Sequence, residues 1–274
     1  MEDPRQEAGS PRAQRLVFGE VPDLYDRVRP GYPDGLVEDV LAFGGLEAAA
    51  CRALEVGAGT GKATVAFARN GVAVHALEPD PAMAAVARRN CAPYSRVEVQ
   101  ERSFEEWVLQ VRAFDLVFSA QAWHWVCPEV RLVRAAAALV PAGCLALLWH
   151  LVRWQEDDPV RVALDACYRL HAPKLHAAGP GSPGLTLRRV EAGAEAEVAR
   201  SADFFDVAVH ERTWDQTFDA TGYVDRLRTQ SDHRLLPSAQ AARLFEAVSE
   251  VIVDHGGRVT VPHATVLVLG RRNR

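Results

Sequence analysis

The residues best suited to chemistry stand in one run, Leu54-Glu55-Val56-Gly57-Ala58-Gly59-Thr60-Gly61, between an apolar stretch and a segment of helical spacing. A strand-to-helix turn of this kind needs backbone conformations that glycine adopts without strain. It brings backbone N–H groups close to a ligand at a helix N-terminus. Seventeen positions after Gly61, Glu78 ends the next apolar stretch in Leu77-Glu78-Pro79-Asp80-Pro81-Ala82-Met83. A carboxylate there can accept both hydroxyls of a ribose. The third glycine comes one residue earlier than in GxGxxG, and Glu55 precedes the first, so pyrophosphate binding is disfavoured. The competing reading is a plain tight connection with Glu78 as a solvated strand end.

A turn so placed requires a parallel sheet. Periodicity predicts helix 35–43, strand 52–56, helix 62–70, strand 72–78, helix 81–90, strand 96–100, a short helix 104–111, strand 115–119, helix 129–139 and strand 144–150. After Leu151 the rhythm changes. A helix is expected over 159–170, a loop over the Gly/Pro-rich HAAGPGSPGL at 176–185, strands at 204–214 and 258–270, and helices at 223–228 and 238–255 between those strands. No internal repeat is present.

Composition narrows the function. The net charge of −5 offers no field to hold a polyanion, which argues against nucleic acid. The five cysteines form no CxxC pair and sit partly in apolar runs, which favours a reducing compartment; no uncharged run reaches membrane-spanning length, and a cytoplasmic protein is expected. The polar first fifteen residues read as a frayed tail. No His, Cys, Asp or Glu set shows metal-ligand spacing.

With EVGAGTG and LEPDPAM in place, the chain resembles the class I S-adenosylmethionine-dependent methyltransferases, specifically the small-molecule branch of methyltransferase type 11 and trans-aconitate methyltransferase-like proteins. The resemblance covers most of the chain. It implies S-adenosyl-L-methionine as cofactor, with Glu55, Gly57, Ala58, Gly59, Thr60 and Gly61 wrapping the methionine end, Glu78 on the ribose, and Pro79 and Met83 flanking adenine. Ser103 and Phe104 match positions along the adenine edge, although Ser103 reads equally as a helix N-cap with Glu106 at the capping-box position. In FDLVFSAQAWHW (114–125), Ser119, Ala120 and Gln121 face the cofactor, and the loop carrying Trp123 and His124 faces the substrate. Ala142 stands in LVPAGC where glycine is more common. In YDRVRPGYP (25–33), Tyr25 and Arg29 would meet the methionine carboxylate; the alternative there is a Pro-rich linker with solvated charges.

The implied fold is α/β and Rossmann-like: a seven-stranded, mainly parallel sheet with an antiparallel last strand and a helical cap inserted between the final two strands. The expected divisions are a disordered tail at 1–15, a cofactor lid at 16–34, the cofactor-binding core at 35–150, and the cap with the last two strands at 151–274.

Transfer of a methyl group from a sulfonium to an O, N or C nucleophile of a small molecule is an in-line displacement, for which positioning and desolvation suffice. His124 is the candidate base if the nucleophile carries a proton; the alternative is that it packs or orients the substrate. Trp123, His150, Trp154, Tyr168 and His233 are candidate substrate contacts, with Trp214 and Arg226 in the same C-terminal region. The rival functions are a nicotinamide-dependent oxidoreductase, a protein or RNA methyltransferase, and a non-catalytic cofactor-binding protein of the same fold. Oligomeric state is not legible.

Overall fold

The computed structural model describes residues 17–178 and 184–274. The tail expected at 1–15 lies outside them, as does the middle of the loop expected at 176–185. Seven strands form one sheet: β1 (Arg52–Val56), β2 (Ala73–Glu78), β3 (Val97–Glu101), β4 (Phe114–Ala120), β5 (Leu139–Val152), β6 (Phe204–Asp219) and β7 (Arg258–Arg272), in the order β3-β2-β1-β4-β5-β7-β6. Strands β1 to β5 are mutually parallel, with Glu55 opposite Ala76 on one side and Phe118 on the other.

The direction of β7 follows from its bonds. Arg272 reaches the Leu139 carbonyl at one end, and the Arg153 N–H donates to Pro262 at 2.8 Å at the other. Rising numbers in one strand meet falling numbers in its neighbour, so β7 is antiparallel, as expected. Because parallel neighbours need long crossovers, helices fill the connections: Lys62–Arg69 after β1, Pro81–Cys91 after β2 and Pro128–Ala138 after β4.

The chain divides into two compact units. The larger comprises 31–150, 190–212 and 265–274, and the smaller the described residues among 1–30, 151–189 and 213–264. Each has its own core. In the larger unit, Leu54, Val74, Leu116 and Ala146 of the central strands are buried, and Phe67 of the first crossover helix stacks on Phe118 at 4.1 Å between centroids. In the smaller unit, Leu164, Tyr168, Leu227, Leu244, Val248 and Ile252 pack together from three helices, Pro159–His171, Ala220–Arg228 and Ser238–Asp254.

Three expectations about elements need correction. The short helix expected at 104–111 is a turn over 104–107 followed by irregular chain. Phe104 and Trp107 are buried but Val108 and Val111 are exposed, so the apolar spacing does not make one face. A helix, Gly184–Arg200, begins inside the segment read as a loop. The helical material therefore lies in both the β5–β6 and β6–β7 connections, not only between the last two strands. Among the described residues no helix is long and apolar enough to cross a membrane.

Candidate active site

Gly57, Gly59 and Gly61 all have positive φ, at 75°, 59° and 84°. At Gly57 the requirement is also steric, since an added Cβ would lie 2.3 Å from the Cβ of Ala122 in the loop after β4. Four of the turn's own N–H groups are occupied. Gly57 and Ala58 donate to the Leu77 carbonyl at 2.9 and 3.0 Å, Gly61 to Ala58 at 2.9 Å, and Gly59 to Oε2 of Glu78 at 2.7 Å. A diphosphate cradle needs such donors free and no carboxylate among them, so the geometry carries the same preference as the glycine spacing. Asn90 adds a bond to the Thr60 carbonyl at 2.9 Å.

Glu78 is buried at the end of β2 and accepts from two backbone amides, Gly59 and Asp80, the latter at 2.9 Å to Oε1. Each carboxylate oxygen carries two lone pairs, so both retain capacity for ribose hydroxyls. Burial raises its pKa to about 7 against the pull of those amides. Glu55, one strand inward, is fully buried. Its Oε2 accepts from the Thr64 hydroxyl, while Oε1 has no hydrogen-bond partner among the described residues. Burial pushes Glu55 up to about 8, with the nearby Glu78 charge adding to the rise. The buried Thr60 hydroxyl is likewise without a partner.

Asp80 caps the helix Pro81–Cys91, accepting from Ala82 and Met83 N–H at 2.9 Å each, and Met83 is buried while Pro79 is exposed. Ser103 bonds Glu106 at 2.9 Å and accepts from its N–H at 3.3 Å. One bond of a capping box, Glu106 N–H to Ser103 Oγ, therefore forms without a helix behind it, and Phe104 turns inward, 6.4 Å from Trp123 between centroids. On β4, Ser119 is fully buried and donates to the Val56 carbonyl at 2.7 Å, stitching β4 to β1. Ala120 is buried, and Gln121 follows with φ 63°, its N–H on the Leu148 carbonyl.

That left-handed residue directs the next turn, Trp123–Trp125. Trp123 is buried, its indole N–H unpartnered among the described residues, with the Arg131 guanidinium over its ring. The Trp149 indole N–H donates to Nδ1 of His124 at 3.4 Å. Burial, with Arg131 nearby, lowers the His124 pKa to about 4, so the ring is neutral and its proton sits on Nε2. His150, still in the larger unit, bonds Thr265 at 2.8 Å and lies 4.6 Å from the Tyr32 ring.

The other predicted residues belong to the smaller unit. Arg29 bonds the hydroxyl and carbonyl of Thr229 at 2.8 and 2.9 Å and lies over the Tyr25 ring at 4.9 Å. Trp154 packs against the core of that unit. Tyr168 and His233 are bonded to each other at 2.6 Å, and Nδ1 of His233 meets Asp232 at 2.7 Å. Burial pushes Asp232 up, but its bonds to His233 outweigh that and hold it below the usual range. Asp232 also accepts from the His233 backbone N–H at 2.8 Å, and the His233 ring lies between Asp232 and Tyr168.

Arg226 is 6% exposed and lies 5.9 and 5.8 Å from the Phe218 and Tyr223 ring centroids. Desolvating an ion costs several kcal/mol, while an aromatic face returns about 0.5–2 kcal/mol. The rings alone leave this cation under-compensated.

Sequence reasoning passed over Thr64, Ala122 and Trp149. Thr64 had a signal, a hydroxyl in the buried stripe of Ala63 and Phe67. Ala122 had none, because its role is only to be small opposite Gly57.

The sheet order, the covering helices and this turn make a Rossmann-like fold. Residues 53–143 match the family described as a methyltransferase domain. An uncharacterized methyltransferase of Mycobacterium tuberculosis is 38% identical over 141 residues, 52% of this chain and 55% of that one. The chain thus spans about half the length of the curated relatives it matches. A protein assigned as a type II methyltransferase from Anaeromyxobacter dehalogenans superposes with a TM-score of 0.57 at 20% identity, covering 90% of this chain and 97% of that one. Phosphoethanolamine N-methyltransferase 2 of Haemonchus contortus, whose structure holds phosphomonomethylethanolamine and S-adenosylhomocysteine, gives 0.53 at 16% identity, covering 95% and 59%. At such identities these structures speak to the fold. Over residues 53–143 the chain is similar to a methyltransferase domain, and its fold is that of solved methyltransferase structures.

Proposed function

We propose that the protein transfers a methyl group from S-adenosylmethionine to an O, N or C nucleophile of a small molecule, in the cytoplasm. The observation that carries this reading is the buried Glu78 carboxylate, bonded to the glycine turn on one side and to the start of the next helix on the other. The donor set suits the cofactor. Glu78 has acceptor capacity for a ribose, Glu55 presents an unpartnered buried oxygen suited to an ammonium, and Met83 and Phe104 offer apolar surface for adenine. Gly57, Ala58, Gly59, Thr60 and Gly61 would hold the methionine part, with Pro79, Ser103, Ser119, Ala120 and Gln121 completing the contacts.

The bound cofactor supplies an electrophilic methyl group on a sulfonium. The chain's part is to position the acceptor and keep water away. His124 is read here as the orienting residue. Its lone pair at Nδ1 is engaged by Trp149, and the N–H at Nε2 is a donor to an acceptor's oxygen or nitrogen. Trp123 and His150 are proposed as acceptor contacts of the larger unit. The five free cysteines accord with a reducing compartment.

The reading is tested by incubating the protein with S-adenosylmethionine and panels of small acids, phenols and amines, and measuring S-adenosylhomocysteine release with the mass of the acceptor. Release coupled to methylation of one class is the expected result. Cofactor binding with no release for any class would contradict turnover on small molecules.

A further inference from the structure

The turn Trp123–Trp125 carries His124 but has few bonds of its own. Trp125 N–H donates to the Ala122 carbonyl at 2.9 Å and Val126 N–H to the Trp123 carbonyl at 3.2 Å, and no side chain caps its start. A helical piece of one tight turn has poor hydrogen-bond geometry. It keeps one conformation only where other parts of the molecule hold it.

Arg131 supplies such a hold. From the start of the helix Pro128–Ala138, its Nη1 donates to the Trp123 carbonyl at 3.1 Å, and its guanidinium lies over the Trp123 ring at 5.7 Å. Glu197 fixes the guanidinium in that place, accepting from Nε at 2.8 Å and from Nη2 at 2.5 Å. Paired bonds of this kind set the plane of the guanidinium as well as its position. Both side chains are largely withdrawn from solvent, at 15% and 23% exposure, so the pair is screened less than one on the open surface.

Glu197 is itself firmly placed. It lies in the last turns of the helix Gly184–Arg200, where Ala194 and Val198 are buried one turn apart. Gly270 of β7 leaves the room that Val198 fills, since an added Cβ there would lie 3.0 Å from Cγ1 of Val198. Glu197, Arg131, the turn and Gly270 all belong to the larger unit. The loop begins at Ala122, against Gly57 of the glycine turn, and ends at Cys127, whose N–H donates to Glu105 at 3.0 Å.

We propose that Glu197 is a positioning residue for methyl transfer: by fixing Arg131 on the Trp123 carbonyl and ring, it holds the turn so that His124 meets the acceptor through Nε2–H. This rests on the methyl-transfer reading. Among the described residues, His124 is hydrogen-bonded only through Nδ1, which leaves Nε2–H for a ligand. Without the Glu197 carboxylate, the guanidinium is free to leave the Trp123 carbonyl for water.

The test compares the wild type with Glu197→Gln, which keeps the shape and loses the charge, and Arg131→Lys, which keeps a cation and loses the fork. Three quantities are measured: amide hydrogen exchange by mass spectrometry, S-adenosylhomocysteine affinity by calorimetry, and steady-state rates with whichever small acid, phenol or amine the wild type methylates. In both variants, exchange in peptides covering 121–127 should quicken about tenfold, while that of β1 and β4 stays as in the wild type. S-adenosylhomocysteine affinity should hold within about threefold. For the acceptor, kcat/KM should fall about tenfold to a hundredfold, the effect of misplacing a group by about 1 Å, with KM for S-adenosylmethionine unchanged.

Unchanged exchange at 121–127 in either variant overturns the hold on the turn. Exchange that quickens equally in β1 and β4, or a variant that does not fold, makes the pair a support of the whole fold and overturns the positioning role. A quickened turn with an unaltered kcat/KM for the acceptor overturns it as well. Quickened exchange confined to 121–127 in a protein that methylates none of the panel upholds the hold on the turn and defeats the methyl-transfer reading.

Discussion

Glu78 and Glu55 are two carboxyls held out of water next to one turn, and their protonation couples the site to pH. Burial raises Glu78 to about 7 and Glu55 to about 8, from an ordinary value of 4.5. Raised folded-state values mean that the folded protein binds more protons than the unfolded chain between those limits. The two groups therefore favour the fold most below about 4.5, and their contribution is lost as pH rises through about 7 and then about 8.

Cofactor binding should run the other way, because ribose hydroxyls donate best to an ionised carboxylate. The affinity for S-adenosylhomocysteine should rise with pH through about 7. Glu78→Gln should weaken it about tenfold to a hundredfold, the equivalent of about 1.5–3 kcal/mol for charge-assisted bonds, and abolish the pH dependence. Unchanged affinity in calorimetric titration would refute the ribose role. For His124→Ala, cofactor affinity should hold within about twofold while turnover falls. Because the ring is neutral above about pH 4, an inflection of the rate near pH 7 should come from Glu78 and persist in His124→Ala. Its loss in His124→Ala would restore His124 as a titrating base.

Among elements, the strand-turn-helix around the three glycines is the most demanding. Gly57→Ala combines left-handed strain of about 1–2 kcal/mol with overpacking of about 1–3 kcal/mol against Ala122. The expected loss is the sum of the two, and Ala122→Gly should restore only the overpacking part, as read by denaturant unfolding. Full rescue would mean that φ at 57 carries no strain. Asp80→Ala removes a cap that accepts two N–H groups and should cost about 1 kcal/mol.

The same scale explains what the sequence made legible. The turn could be read because its glycines follow the end of a buried strand and precede a helical stripe. Residues 104–111 misled because Ser103 and Glu106 have the spacing of a capping box and make one of its bonds, yet Val108 and Val111 face solvent. The helix Gly184–Arg200 was hidden behind a Gly/Pro cluster that argues for loop. Ser119, legible as a site residue by resemblance, has its hydroxyl committed to Val56, a contact between strands distant in sequence that no local pattern encodes. The Tyr168–His233 bond and the isolation of Arg226 are of the same long-range kind.

For the whole molecule, the alternation of strands and helices was enough to predict a parallel sheet, because buried parallel strands need covered faces and long crossovers. The strand count and the reversed last strand came from the family likeness, and the bonds of β7 at both its ends agree with it. The division into two units with separate cores could not be read as contiguous segments, since each unit draws on three stretches of chain.

The central claim is that the glycine turn and Glu78 hold S-adenosylmethionine rather than a dinucleotide. Parallel calorimetric titrations with S-adenosylmethionine, S-adenosylhomocysteine and NADH test it most directly. Saturable binding of the first two and none of the third is the expected result. Binding of NADH alone, or of none of the three, would contradict it.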